Sequence, residues 1–111
     1  MTQIQIIKYW LSSSDNDYEV MKHLFNSKDY SWSLFLGHLL IEKLLKAHYV
    51  KNMDSNPPLI HNLSRLAKSA GLTMSEQHID ELHLLTSFNI NSRYPDYKLE
   101  FYRVMYRKIY P

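Results

Sequence analysis

Apolar residues recur at intervals of three and four along most of the chain, the spacing that builds one face of an α-helix. Ile7, Trp10, Leu11, Ser14, Tyr18, Met21, Leu24 and Phe25 mark such a face on a long first helix. Ser12-Ser13-Ser14-Asp15 offers an internal start signal, so a new cap or a bend there is the competing reading; one long helix is preferred. Asn26 to Asp29 reads as a turn. A second helix is expected from about Tyr30 to Asn52, with Leu34, Phe35, His38, Leu39, Ile41, Glu42, Leu45 and Tyr49 on a broad inward stripe. Asp54-Ser55-Asn56-Pro57-Pro58 ends it, because the prolines lack donors and push their neighbours toward extended backbone. Long helices joined by a short turn pack antiparallel. Leu63, Leu66, Ala67 and Ala70 mark a short third helix with Gly71 just past its end. Ser75, three residues before His78, is a weak cap for a fourth helix whose face carries Ile79, Leu82, Leu85, Thr86 and Asn89. Asn91 to Tyr97 reads as a loop fixed by Pro95, and Leu99 to Tyr110 as a last helix.

No strand alternation and no internal repeat interrupts this pattern. The expected fold is all-α, an up-and-down bundle of four or five helices. Leu39, Leu45, Leu63, Leu66, Leu82 and Leu85 should share one core. At 111 residues the chain is read as one domain, 1–111, able to bury roughly two-thirds of its unfolded surface. With no cysteine, thiolate metal sites, disulfides and thiol nucleophiles are excluded. Two glycines disfavour a phosphate-cradling glycine-rich loop. A net charge of +2 is too small to mark a nucleic-acid binder by itself. No signal peptide is visible, and His38, Glu42, Lys43 and Lys46 interrupt the most apolar stretch, so no membrane span is expected and a cytoplasmic protein is the reading.

Charged groups inside an apolar stripe are costly unless paired, which singles out Phe35 to Ala47. His38 and Glu42 lie one turn apart, Glu42 is in register to pair with Lys46, and Lys43 can reach around the helix on its long stem. The plain reading is a helix-surface ion pair with a histidine at the core edge. No His-Glu-x-x-His or EF-hand pattern occurs, so neither a metal nor another cofactor is expected. The second segment is Asn91-Ser92-Arg93-Tyr94-Pro95-Asp96-Tyr97. Pro95 restricts Tyr94, and an arginine held on such backbone is either a fork for phosphate or carboxylate or a bundle-closing partner for Glu42. Asp96 reads as a turn or cap residue. His61, at the start of the third helix, is either a cap or loop contact or a base near neutrality. Tyr102, Arg103, Tyr106, Arg107, Lys108 and Tyr110 form a basic-aromatic row, read first as aromatics inward and cations outward and second as a single-strand stacking surface.

Taken in order, Trp10 to Asp17, Phe35 to Ala47 with Glu-Lys-x-x-Lys-Ala, Pro58-x-x-His61-x-Leu63 and Ser92-Arg93-Tyr94-Pro95-Asp96 resemble the HEPN family of small helical domains. The resemblance covers about Ile7 to Leu99. It implies a helical bundle, usually a homodimer, often encoded beside a minimal nucleotidyltransferase, with members that bind nucleotide or RNA and many that are metal-independent ribonucleases of toxin–antitoxin or defence systems. The ribonuclease motif, an arginine followed after four to six residues by histidine, is absent: Lys98, Leu99 and Glu100 occupy the expected positions after Arg93. The last helix is also shorter than in the family pattern. The resemblance therefore implies a nucleotide-binding or regulatory module acting with a nucleotidyltransferase, with no catalytic residue assigned. Arg93, Lys43 and Lys46 would meet phosphate, Tyr94 or Tyr97 would stack on a base, and His38, Glu42, His61 and Asp96 would support them. The alternatives are a ribonuclease with a degenerate site built on His61 or His38 with Arg93, and a purely structural interaction domain. Nine tyrosines and two tryptophans on so small a bundle leave apolar surface uncovered, which also points to a homodimer.

Overall fold

The computed structural model describes residues 1–92, 104 and 106–108. Four helices run through it, α1 Gln3–Asn26, α2 Tyr30–Asn52, α3 Leu63–Ser69 and α4 Glu76–Ser92. Among the described residues there is no strand, and the all-α bundle expected from the sequence is the observed class. α1 is continuous through its serines. A capping box starts it, with Gln5 N–H donating to Thr2 Oγ1 and Thr2 N–H to Gln5 Oε1, satisfying two of the donors a helix start leaves open. α1 and α2 form an antiparallel hairpin: Gln3 Nε2 donates to the Val50 carbonyl at 2.7 Å, near one end, and Ser33 Oγ to the Met21 carbonyl at 3.0 Å, near the other.

The turn between them is closed by Asp29 N–H to the Leu24 carbonyl (2.8 Å) and Lys28 N–H to the Phe25 carbonyl (3.0 Å). This double closure needs a left-handed residue after the helix cap, and here Lys28 fills the position at φ 65°. α3 ends in the same way, with Leu72 N–H on the Ala67 carbonyl, Gly71 N–H on that of Lys68, and Gly71 at φ 79°. There the left-handed position carries the residue suited to it.

α2 is the central element. Among the described helices, α1 packs only on α2, while α3 and α4 pack on α2 and on each other. This is why α2 buries residues all round, from Leu40, Ala47 and Val50 to Leu45 and Glu42. The main core joins Leu45, Leu63, Leu66, Ala67 and Leu82, with Ile41, Ile60, Leu72, Met74 and Leu85 packed against it. Leu39 is only half-buried. α3 is anchored at both ends. Leu63 N–H donates to Thr86 Oγ1 (3.0 Å), whose hydroxyl donates to the Leu82 carbonyl (2.8 Å), and Asn52 Nδ2 donates to the Ala70 carbonyl (3.1 Å).

Two sequence expectations change. The buried line of α1 is Ser14 and Asp17, with Ile7, Trp10, Met21 and Leu24 half-buried beside them, whereas Leu11, Tyr18 and Phe25 are exposed. The apolar stripe of α1 is wider than one neighbouring helix can cover. α4 continues through Asn91 and Ser92, because nothing before Pro95 removes a donor from its ladder. Of the expected last helix, 104 and 106–108 are helical; the rest lies outside the described residues.

Candidate functional site

The two sides of α2 each bury a carboxylate. Toward α1, Lys43 Nζ lies 2.7 Å from Asp17 Oδ2, with 23% and 10% of the two side chains exposed. The contact does not meet hydrogen-bond geometry, so it is an ion pair more than an aligned bond. Ser14 Oγ donates to the Leu40 carbonyl nearby at 3.3 Å. One turn on, Lys46 Nζ sits 4.9 Å from the centroid of the Trp10 ring, within cation–π range.

Toward α3 and α4, His38 is fully buried and its Nδ1 lies 3.2 Å from the Leu85 carbonyl. A carbonyl only accepts, so Nδ1 carries the proton. One turn further, Glu42 is buried with 6% of its side chain exposed, and its Oε1 is 2.8 Å from His61 Nδ1. His61 itself keeps 60% of its side chain in solvent. Because the ionised carboxylate only accepts, Nδ1–H donates to it, and Nε2 is left at the surface, an acceptor when the ring is neutral and a donor when it is charged. The loop that presents His61 is fixed on both sides. Pro57 and Pro58 precede it, and Asn62 caps α3 through Oδ1, accepting from Arg65 N–H at 3.2 Å and Ser64 Oγ at 2.8 Å.

His38 and Glu42 share one inward face, as their spacing indicates. The structure adds His61 to them from nineteen residues away. The cap reading of His61 is replaced, since Asn62 takes that place. The Glu42–Lys46 pair is not formed: Glu42 points into the α3 side and bonds His61, while the Lys46 stem follows α1 to Trp10. Lys43 is likewise committed to Asp17. Asp17 was missed by sequence reasoning, although its position, seven residues after Trp10 and seven before Leu24 on the packed face of α1, is a usable signal for a buried charge. Arg93, Tyr94, Asp96 and Tyr97 lie outside the described residues.

Among the described residues no group of three or more His, Asp or Glu side chains is placed to hold a metal ion. No described helix is long and apolar enough to cross a membrane. A model of the HEPN domain matches residues 7–109, nearly the whole chain, and the chain belongs to the HEPN family. No curated protein and no solved structure matches it.

Proposed function

We propose that this HEPN chain is a non-nucleolytic module that binds the phosphate end of a nucleotide or RNA and works, as a homodimer, beside a nucleotidyltransferase partner in a toxin–antitoxin or defence setting. The observation that carries the ligand reading is the Glu42–His61 pair at 2.8 Å, a buried carboxylate holding an exposed imidazole. Desolvating a carboxylate is expensive, and His61, its partner among the described residues, is mostly solvated, a poor structural return for that cost. The same arrangement makes sense as a holder for a ligand-facing ring. Glu42 fixes the tautomer and orients the ring so that Nε2 can meet an anion. Arg93, Tyr94 and Tyr97 complete the proposed site, with the arginine as a bidentate fork and a tyrosine stacked on the base. Lys43 and Lys46 act at second hand, holding α1 on α2 through Asp17 and Trp10.

The same observation favours one other reading. A histidine oriented by a carboxylate is the base half of a general acid–base site, and with Arg93 it would suit metal-independent RNA cleavage, His61 Nε2 taking the proton of the attacking 2′-hydroxyl. One set of assays separates the two. Calorimetric titration of the protein with ATP, GTP, CTP and UTP should give saturable binding of at least one nucleotide, weakened by His61→Asn without loss of thermal stability, while single-stranded RNA stays intact. Metal-independent cleavage that disappears in His61→Asn would install the ribonuclease reading. Absence of both binding and cleavage would reject both.

A further inference from the structure

A cleft of about 280 Å³ lies between α3 and α4, and neither Glu42 nor His61 lines it. Its floor is apolar, made by Leu72, Met74, Ile79 and Leu82, and its rim carries Arg65 and Lys68 of α3. The sequence builds each side. In α3 the inward positions are Leu63, Leu66 and Ala67, so Arg65 and Lys68, three residues apart, come up together on the outward side, both exposed. Gly71, in the left-handed region, then reverses the chain, and Leu72 N–H returns to the Ala67 carbonyl at 3.1 Å. That turn brings Leu72 and Met74 back beside the helix, where both pack on the main core. Ser75 caps α4 by accepting from His78 N–H at 3.2 Å, and Ile79 and Leu82, about one turn apart, form the remaining wall. Leu82 is buried and Ile79 is 36% exposed, so the cleft is closed below and open above.

Charge, lining and size together select the occupant. Among the described residues no carboxylate lies within ion-pair distance of Arg65 or Lys68; the pairs formed are Lys22–Glu19, Lys43–Asp17 and His61–Glu42. Glu76 and Asp80 of α4 are exposed and do not line the cleft. Like charges at this helix spacing repel, and one anionic head between them relieves the repulsion while meeting the planar fork of the arginine. None of the lining side chains is aromatic. A floor of leucine, isoleucine and the adaptable methionine suits a flexible aliphatic body rather than a stacked ring. The volume equals that of roughly nine waters at about 30 Å³ each, and α3 beside it is only 7 residues long, about two turns. That is room for a short chain and too little for a partner helix, whose anchors spread along a longer groove. The cleft beside Tyr18 and Phe25 lacks this character, since the lysine that lines it, Lys22, already contacts Glu19 at 3.0 Å.

We infer that the cleft between α3 and α4 is a binding site for a small aliphatic carboxylate, its head held by Arg65 and Lys68 and its chain laid on Leu72, Met74, Ile79 and Leu82. The site shares no residue with the Glu42–His61 pair and does not rest on the nucleotide reading.

Methyl NMR of the full chain, labelled at its methionines, tests this with octanoate as the probe. Met74 reports on this cleft and Met21 on the one beside Tyr18, each assigned from the signal lost on replacement by leucine. Octanoate should move the Met74 methyl in a saturable way by the millimolar range and leave Met21 in place. A fully buried methylene favours binding about fourfold. In an open cleft roughly half of that is realised, so octanoate, four methylenes longer, should bind at least about tenfold more tightly than butanoate. Octanamide, which keeps the chain and lacks the charge, should bind at least about fivefold more weakly than octanoate. Arg65→Gln combined with Lys68→Gln should erase that difference while both probes still move Met74, which shows in one measurement that the variant is folded and that the two cations hold the head. Absence of a saturable shift at Met74, an equal shift at Met21, octanamide or butanoate binding as tightly as octanoate, or a preference for octanoate that survives in the double variant overturns the inference.

Discussion

Replacing Lys43 with methionine keeps the length and the apolar stem of the side chain and removes the cation beside Asp17. The carboxylate it leaves is 10% exposed and cannot rotate to water without opening the α1–α2 seam. Breaking a fully buried pair by removing one partner costs about 3–5 kcal/mol. Lys43 keeps 23% of its side chain in solvent, so the Coulombic part is screened and the cost should be smaller, about 2–3 kcal/mol. Asp17→Asn is milder, about 1 kcal/mol, because the freed lysine can swing its head into water. With both replaced, no buried charge remains, and the double variant should lie within about 1 kcal/mol of wild type. The cycle therefore predicts a coupling of about 2–4 kcal/mol. Urea melts of the four proteins give it directly, and the Lys43→Met melting temperature should fall by roughly 8–18 °C at about 4–6 °C per kcal/mol for a domain of this size. Coupling below about 0.5 kcal/mol, the error of additivity for independent sites, would refute the claim that this ion pair holds α1 on α2.

Other outcomes follow from single positions. Lys28→Gly should stabilise the protein by about 1 kcal/mol in thermal melts, since a lysine occupies a left-handed position. Gly71→Ala should destabilise by about the same amount for the mirror reason. Leu45→Ala, in the main core, should cost about 2–5 kcal/mol, and Leu39→Ala clearly less because Leu39 is half-buried; equal costs by urea titration would count against the core as described. Thr86→Val keeps the shape but strips the acceptor from Leu63 N–H, and should cost about 1–3 kcal/mol and raise amide exchange at the start of α3.

The helices were legible because their stops are chemical. Pro57 and Pro58 bar any continuation of α2, Gly71 supplies the left-handed residue after α3, and Ser75 accepts from His78 N–H at 3.2 Å before α4. The inward placing of His38 and Glu42 was legible from periodicity alone. What each of them meets was not. α2 is covered on two sides, so an apolar-all-round helix gives no signal of which polar residue turns to α1 and which to α3. Glu42 had Lys46 in ideal register, yet the contact is made by His61, brought in by a tertiary turn that no local spacing encodes. The face of α1 was misjudged for a related reason. A stripe holding Leu11, Tyr18 and Phe25 as well as Ile7, Trp10 and Met21 is too broad for one partner helix, and periodicity cannot say which half is left outside.

In the proposed site His61, held by Glu42, faces the ligand. Imidazole nitrogen NMR on protein labelled in its histidines tests it most directly, with His61 assigned from the signal lost in His61→Asn. Adding the nucleotide that binds should move the His61 Nε2 resonance in a saturable way, with the His38 resonances moving far less, and Glu42→Gln should weaken the nucleotide by about tenfold, about 1.4 kcal/mol. Saturable nucleotide binding that leaves the His61 ring unmoved and unaffected by Glu42→Gln would contradict it.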